Sequence, residues 1–235
     1  MLGGTLDDSV GECFDKAARL LGLPINSSGG AAIEKHALLG DPSSYSMPAP
    51  MIGTPSCDFS YAGLKNAFRL HLERERKLNN LNENFNSKNA PLSGLEEVKD
   101  IIKLPDGVTA DLCASFQNAA FLHLMDRLKR ALDYVILKKI PITAVTITGG
   151  VAANKDLTRR VSELLAAHSS GLDLVIPPPS VCTDNGLMVA WNAVEKLSKG
   201  ISDSSDSEED VIPRWPLAEF VEIDFKSLNA RKAKQ

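Results

Sequence analysis

Ala144-Val145-Thr146-Ile147-Thr148-Gly149-Gly150-Val151-Ala152-Ala153-Asn154-Lys155 is the stretch on which the fold turns. Its β-branched run predicts a strand over 144–148. The paired glycines end that strand, and Asn154 stands where the N-cap of a following helix, 155–167, is expected. The pattern then repeats toward the C-terminus. Leu172 to Ile176 reads as a second strand, stopped by Pro177-Pro178-Pro179, and Cys182-Thr183-Asp184-Asn185-Gly186 turns into a last helix over 187–198. Strand–turn–helix units in series mark an α/β fold.

Toward the N-terminus the chain reads as helical. Leu112, Phe116, Ala120, Leu124, Leu128 and Leu132 form the apolar stripe of a long helix over 111–137. Residues 79–107 read as an inserted surface loop, since six of the eleven residues from Asn79 to Asn89 are Asn, with a short helix expected over 95–102. Asp58 to Lys65 leads into a helix predicted to run through Arg76, and the Pro-rich stretch 40–58 reads as irregular chain. A short helix is expected over 31–39. The first helix has Val10, Phe14, Ala17, Ala18 and Leu21 on one face, Asp7 or Asp8 as its cap and Gly22 at its end.

Composition fits a folded chain: 235 residues, 43% apolar, net charge −4. A wholly disordered chain, a collagen and a disulfide mini-scaffold are excluded. Asp203 to Asp210 holds five carboxylates and no base, so the rest of the chain is close to neutral and the net charge says little about partners. Cys13, Cys57, Cys113 and Cys182 form no C-x-x-C pair and are expected to be reduced and mostly buried. No apolar run of about 18 residues suggests a membrane span, and Met1-Leu2-Gly3-Gly4-Thr5 does not resemble a signal or transit peptide.

Three motifs have both a chemical and a structural reading. Thr148 to Asn154 offers bare backbone and a helix N-terminus to an anion such as phosphate, or is simply a tight capped turn. In Cys182-Thr183-Asp184-Asn185-Gly186, Asp184 can ligate a metal, or Asp184 or Asn185 can cap the last helix. Asp8, Glu12, Asp15 and Arg19, followed by Gly29-Gly30 and Glu34, can meet ribose hydroxyls, or form a solvated face with an Asp15–Arg19 pair. His36, His71, His123 and His168 lack the i,i+3 or i,i+4 spacing of a helical metal pair and are expected to be structural or exposed.

Taken in order, Thr5-Leu6-Asp7-Asp8, Gly11-Glu12-Cys13-Phe14-Asp15-Lys16, Gly29-Gly30, Phe59-Ser60-Tyr61-Ala62-Gly63-Leu64-Lys65, Gly149-Gly150-Val151-Ala152-Ala153-Asn154 and Cys182-Thr183-Asp184-Asn185-Gly186 resemble the tRNA threonylcarbamoyladenosine synthase family, the TsaD type once labelled glycoproteases. The resemblance runs from residue 3 to about 217. Arg214-Trp215-Pro216-Leu217 and the last helix look most like the mitochondrial branch. It implies an actin/Hsp70/sugar-kinase-like fold of two α/β lobes, of which this chain is the C-terminal portion, a mixed sheet flanked by helices. It also implies transfer of a threonylcarbamoyl group from threonylcarbamoyl-AMP to N6 of the adenine beside the tRNA anticodon. Asp15 and Gly30 are implied to contact the nucleotide with help from Glu34. Gly149 and Gly150 are implied to face the adenylate, Asn154 to contact it, and Asp184 to be one ligand of a divalent metal ion of Zn or Fe type.

One departure is large. The family's first-lobe His-x-x-x-His pair does not occur in this sequence, and the sequence's only Ser-Gly-Gly, Ser28-Gly29-Gly30, falls in the later Gly29-Gly30 motif. Residues 1–200 are therefore expected to be a partial transferase domain, with 201–235 an acidic linker and tail, and the chain alone is expected to have little activity. The partners implied are tRNA, threonylcarbamoyl-AMP and a second copy or homologous chain. The implied location is mitochondrial, with cytoplasmic as the alternative. A different class of reading is a non-catalytic half-protein that docks on a full-length homologue. A third is a sugar-kinase-like ATP binder.

Overall fold

The computed structural model describes residues 1–25, 28–79, 103–168, 171–182 and 184–202. Among them are six α-helices and two strands: α1 (Val10–Leu21), α2 (Gly29–Ala37), α3 (Ala62–Leu78), α4 (Asp106–Leu137), β1 (Ala144–Thr146), α5 (Lys155–His168), β2 (Asp173–Val175) and α6 (Gly186–Ser198). Single 3-10 turns precede α5 (Gly150–Ala153) and α6 (Pro179–Val181).

The core lies where α1, α2 and α3 pack around α4. The predicted stripe of α4 is borne out, with Leu112, Phe116, Ala120 and Leu132 buried and Leu124 and Leu128 partly so. Phe116 is the hub. Its ring meets Phe14 of α1 edge-on at 5.1 Å and Phe68 of α3 at 5.0 Å, while Phe14 stacks on Phe121 at 5.6 Å. Full burial of each such ring contributes about 1.5–3 kcal/mol. The four cysteines are free and buried. Burial pushes the Cys13 thiol up to about 12, with Asp8 adding to the effect, and burial alone does the same for Cys113.

Several boundaries differ from expectation. Neither Asp7 nor Asp8 caps α1. Ser9 does, its Oγ accepting the Glu12 N–H at 3.2 Å. The two aspartates are committed to α3 instead. Asp7 accepts from the Tyr61 N–H (2.8 Å) and the Ser60 hydroxyl, and Asp8 lies between Lys16 (2.7 Å) and Lys65 (2.6 Å). The polar side of α1 is therefore a half-buried ion network near these residues rather than a solvated face. α2 starts two residues early because Ser28 caps it through the Ala31 N–H. α4 starts five residues early, at Asp106, so the expected inserted loop is shorter than 79–107. The helix expected over 95–102 lies outside the described residues, as does 203–235.

β1 and β2 are parallel, with Ala144 opposite Asp173 and Thr146 opposite Val175. Among the described residues this pair is the only sheet, where a lobe-sized mixed sheet was expected. An isolated parallel bridge joins Thr5 to Phe59. α5 buries Leu157, Val161 and Leu165, one stripe at helical spacing. Among the described residues no helix is long and apolar enough to cross a membrane.

Candidate functional site

The C-terminal ends of both strands point to one place. β1 leads into Gly149, whose φ of +89° is one that side-chain-bearing residues rarely adopt. A Cβ there would meet nothing within 4 Å, so the turn is open on its outer side, and Gly149 and Gly150 are both exposed. The 3-10 turn that follows packs beside α1 and beside the turn that follows β2. Open α/β sheets bind ligands at this end of their strands.

Asn154 caps α5 as predicted. Its Oδ1 accepts the N–H groups of Asp156 (3.0 Å) and Leu157 (3.1 Å). Its Nδ2 donates to Gln117 Oε1 of α4 at 3.0 Å, and both residues are buried. Glu34 of α2 reaches the same helix end, its Oε1 accepting the Lys155 N–H at 2.8 Å. A carboxylate at a helix N-terminus is favourable. The opening N–H groups of α5 thus have acceptors from within the chain, so an anion at this site would face the Gly149–Gly150 backbone rather than the helix end.

Asp15 closes the other side. Its Oδ1 accepts the Gly29 N–H at 2.7 Å, across the loop rather than one turn along the helix toward Arg19. A Cβ on Gly29 would lie 2.5 Å from the Asp15 Cα, so glycine is required there by close approach. Gly30, the residue singled out from sequence, has only the Ser28 Oγ near its would-be Cβ, at 3.8 Å. Asp15, Gly30, Glu34 and Asn154 are thus linked through α1, α2 and the start of α5, with Gly149 and Gly150 on the open turn beside them.

Asp184 is different. It is exposed, and its neighbour Asn185 caps α6 by accepting the Met188 N–H at 3.1 Å. Among the described residues no group of three His, Cys, Asp or Glu side chains gathers to hold a metal ion. A lone exposed carboxylate does not fit a divalent metal centre, which needs several ligands. The histidines are engaged elsewhere, with Ala32 O, Ser46 O, the Ser60 N–H and Asp133 as partners of His36, His71, His123 and His168.

Sequence reasoning missed Gln117 and the Asp8–Lys16–Lys65 network, and it named Gly29 with Gly30 without seeing that Gly29 is the one held by close approach. A signal for Gln117 existed, since it is a polar residue directly after Phe116 in an apolar helix and a buried amide needs a partner.

A profile of the family described as TsaD, tRNA N6-adenosine threonylcarbamoyltransferase, matches residues 1–191. A protein of Arabidopsis thaliana named "Probable tRNA N6-adenosine threonylcarbamoyltransferase, mitochondrial" is 39% identical over 225 residues, covering 93% of this chain and 43% of the relative. Proteins named tRNA N6-adenosine threonylcarbamoyltransferase from Methylocapsa acidiphila and Methylobacterium sp. (strain 4-46) are 41% and 42% identical, covering 92% and 93% of this chain and 52% and 53% of their own lengths. The chain therefore spans about half the length of the curated relatives it matches. A profile match over so much of the chain, ending inside α6, carries the conclusion that this chain belongs to the TsaD family of tRNA N6-adenosine threonylcarbamoyltransferases.

Proposed function

We propose that this chain carries the nucleotide-holding part of an enzyme that transfers a threonylcarbamoyl group from threonylcarbamoyl-AMP to N6 of the adenine beside the tRNA anticodon. The observation that supports this reading is the convergence of Asp15, Gly30, Glu34 and Asn154 beside the open Gly149–Gly150 turn, in a member of this family. Asp15 Oδ2, which takes no part in the bond to Gly29, is suited to accept from a ribose hydroxyl. The exposed Gly149–Gly150 backbone is suited to approach the adenylate. Asn154 and Glu34 hold the start of α5 against α4 and α2, and so fix the position of the turn. Orientation of this kind lowers the barrier by placing the reactants before they meet.

The metal is assigned no step, because Asp184 alone does not fit one. The chain is proposed to be the C-terminal lobe of an actin-like two-lobed fold, acting in mitochondria on the strength of the Arabidopsis relative's name, with tRNA and a second copy or homologous chain as partners. Purified chain is incubated with threonylcarbamoyl-AMP and unmodified tRNA, and the nucleosides are analysed. The expected result is binding of an acyl-adenylate analogue in preference to ATP, with little turnover. Preference for ATP would overturn the substrate assignment, and robust turnover would overturn the claim of low activity. The second reading is a non-catalytic half that docks on a homologue. It predicts stable association with no nucleotide binding.

A further inference from the structure

We propose, resting on the nucleotide reading above, that Gln117 is a positioning residue of that site, acting through Asn154 to hold the Gly149–Gly150 turn in place. Gln117 follows the Phe116 hub on α4 and is only 7% exposed. Burying an amide costs free energy unless it is hydrogen-bonded, so packing alone does not account for a glutamine here. Its Oε1 accepts from Asn154 Nδ2 at 3.0 Å. A side-chain amide has a donor end and an acceptor end, and only the donor end can meet this oxygen. Asn154 Oδ1 is thereby turned toward α5, where it accepts the N–H groups of Asp156 and Leu157. Asn154 is itself buried, and these three partners fix its amide.

The backbone carries that orientation to the turn. The Asn154 N–H donates to Val151 O at 3.1 Å, and the Ala152 N–H donates to Gly149 O at 2.9 Å. Ala152 is buried, whereas Gly149 and Gly150 are exposed. A shift of Asn154 is therefore passed, within five residues, to the open backbone that the nucleotide reading sets against the adenylate.

α5 meets α4 at three levels. Asn154 lies on Gln117 at its start, the Arg160 guanidinium stands 6.0 Å from the centre of the Phe121 ring, and His168 Nε2 bonds Asp133 Oδ1 at 2.9 Å at its end. The partners rise along both helices in the same order, so the two helices run side by side. The His168 contact is about 20 Å from the turn by helix rise. It thus separates a general loosening of α5 from a loss at the site.

The test uses the full chain and an acyl-adenylate analogue. Gln117→Leu removes the acceptor at similar volume, Gln117→Glu keeps an oxygen in its place, and His168→Ala breaks the far contact. In Gln117→Leu, amide hydrogen exchange at Ala152 and Asn154 should quicken about tenfold. The Kd for the analogue should rise by about the same factor, because the turn is correctly placed for a smaller fraction of the time. Gln117→Glu should return both toward native values. His168→Ala should lower the thermal midpoint and leave both unchanged. Unchanged exchange in Gln117→Leu overturns the proposal, as does exchange in Gln117→Glu as fast as in Gln117→Leu, or an equal quickening in His168→Ala. Faster exchange with an unmoved Kd overturns it too, since Gln117 would then serve the turn and not the site. If Gln117→Leu does not fold, Gln117→Met takes its place under the same criteria. A native chain that binds no analogue overturns the nucleotide reading instead, and the exchange rates then still decide whether Gln117 holds the turn.

Discussion

α4 and α6 are both rich in apolar residues, yet they live in opposite surroundings. α4 is wrapped by α1, α2 and α3, and buries Leu112, Cys113, Phe116, Ala120 and Phe121 completely. α6 buries nothing. The difference is not one of capping, since α6 is capped by Asn185 while α4 has no side-chain cap at Pro105. It lies in which neighbours are present. α4 belongs to the core that the described residues form, while α6 lies outside it.

Substitutions on the two helices should therefore differ by an order of magnitude. Phe116→Ala removes the ring that joins α1, α3 and α4 and should destabilise the chain by about 3–5 kcal/mol, read by denaturant unfolding. A loss below 1 kcal/mol would break the contrast from the α4 side.

The next largest effect is pH-dependent. Burial, helped by the nearby Arg127 guanidinium and opposed by Asp126 and Asp7, pushes His123 down to about 4. Its Nε2 accepts the Ser60 N–H at 3.3 Å, which requires the neutral ring. Between the ordinary value of 6.5 and 4, the unfolded chain binds a proton here that the folded chain refuses. Stability is therefore complete above pH 6.5 and falls on acidification, by up to about 1.4 kcal/mol per pH unit. Asp7 and Asp8 do not blur this window. Burial opposes their ionisation, but hydrogen bonds from Ser60 and Tyr61 to Asp7, and from Lys16 and Lys65 to Asp8, prevail and hold both below 3.8. Their contributions are lost only below that pH. Unfolding free energies at pH 7, 5.5 and 4.5 should slope in the native chain and flatten in His123→Gln.

A smaller effect sharpens the comparison at the edge of the core. Asn154→Ala removes the α5 cap and strands Gln117, and should cost about 1 kcal/mol for the cap. Asn154→Asp keeps the acceptor and loses only the donation to Gln117, so it should recover part of the loss by the same measurement. The smallest effect is on α6. Trp191→Ser should change the stability of the chain alone by less than about 0.5 kcal/mol, as at other unpacked surface positions. A loss of several kcal/mol would show that α6 is already packed.

These contrasts explain which parts were legible from sequence. Helices and caps set by nearest neighbours could be read, as in the α4 stripe, the Asn154 cap and the ending of α1 at Gly22. Ser9 was overlooked because Asp7 and Asp8 are equally good caps by type. They are drawn away by Tyr61 and Lys65, more than fifty residues along the chain, and local pattern carries no trace of that. The site shows the same split. Asn154 and Glu34 could be nominated, but their roles are set by Gln117 and Lys155, which become neighbours only on folding. The exposure of α6 was illegible for the opposite reason, since an apolar helix reads as buried whether or not its cover is present.

The Glu34–Lys155 bond has one more consequence. It closes a chain segment of 121 residues, and the stretch 80–102 lies inside that span. Closure entropy grows only with the logarithm of segment length, so even a doubling costs about 0.6 kcal/mol. Homologous chains can therefore lengthen or shorten the Asn-rich stretch almost freely without loosening the contact that seats α5, which leaves that interval open to evolutionary experiment while the site downstream of it stays assembled.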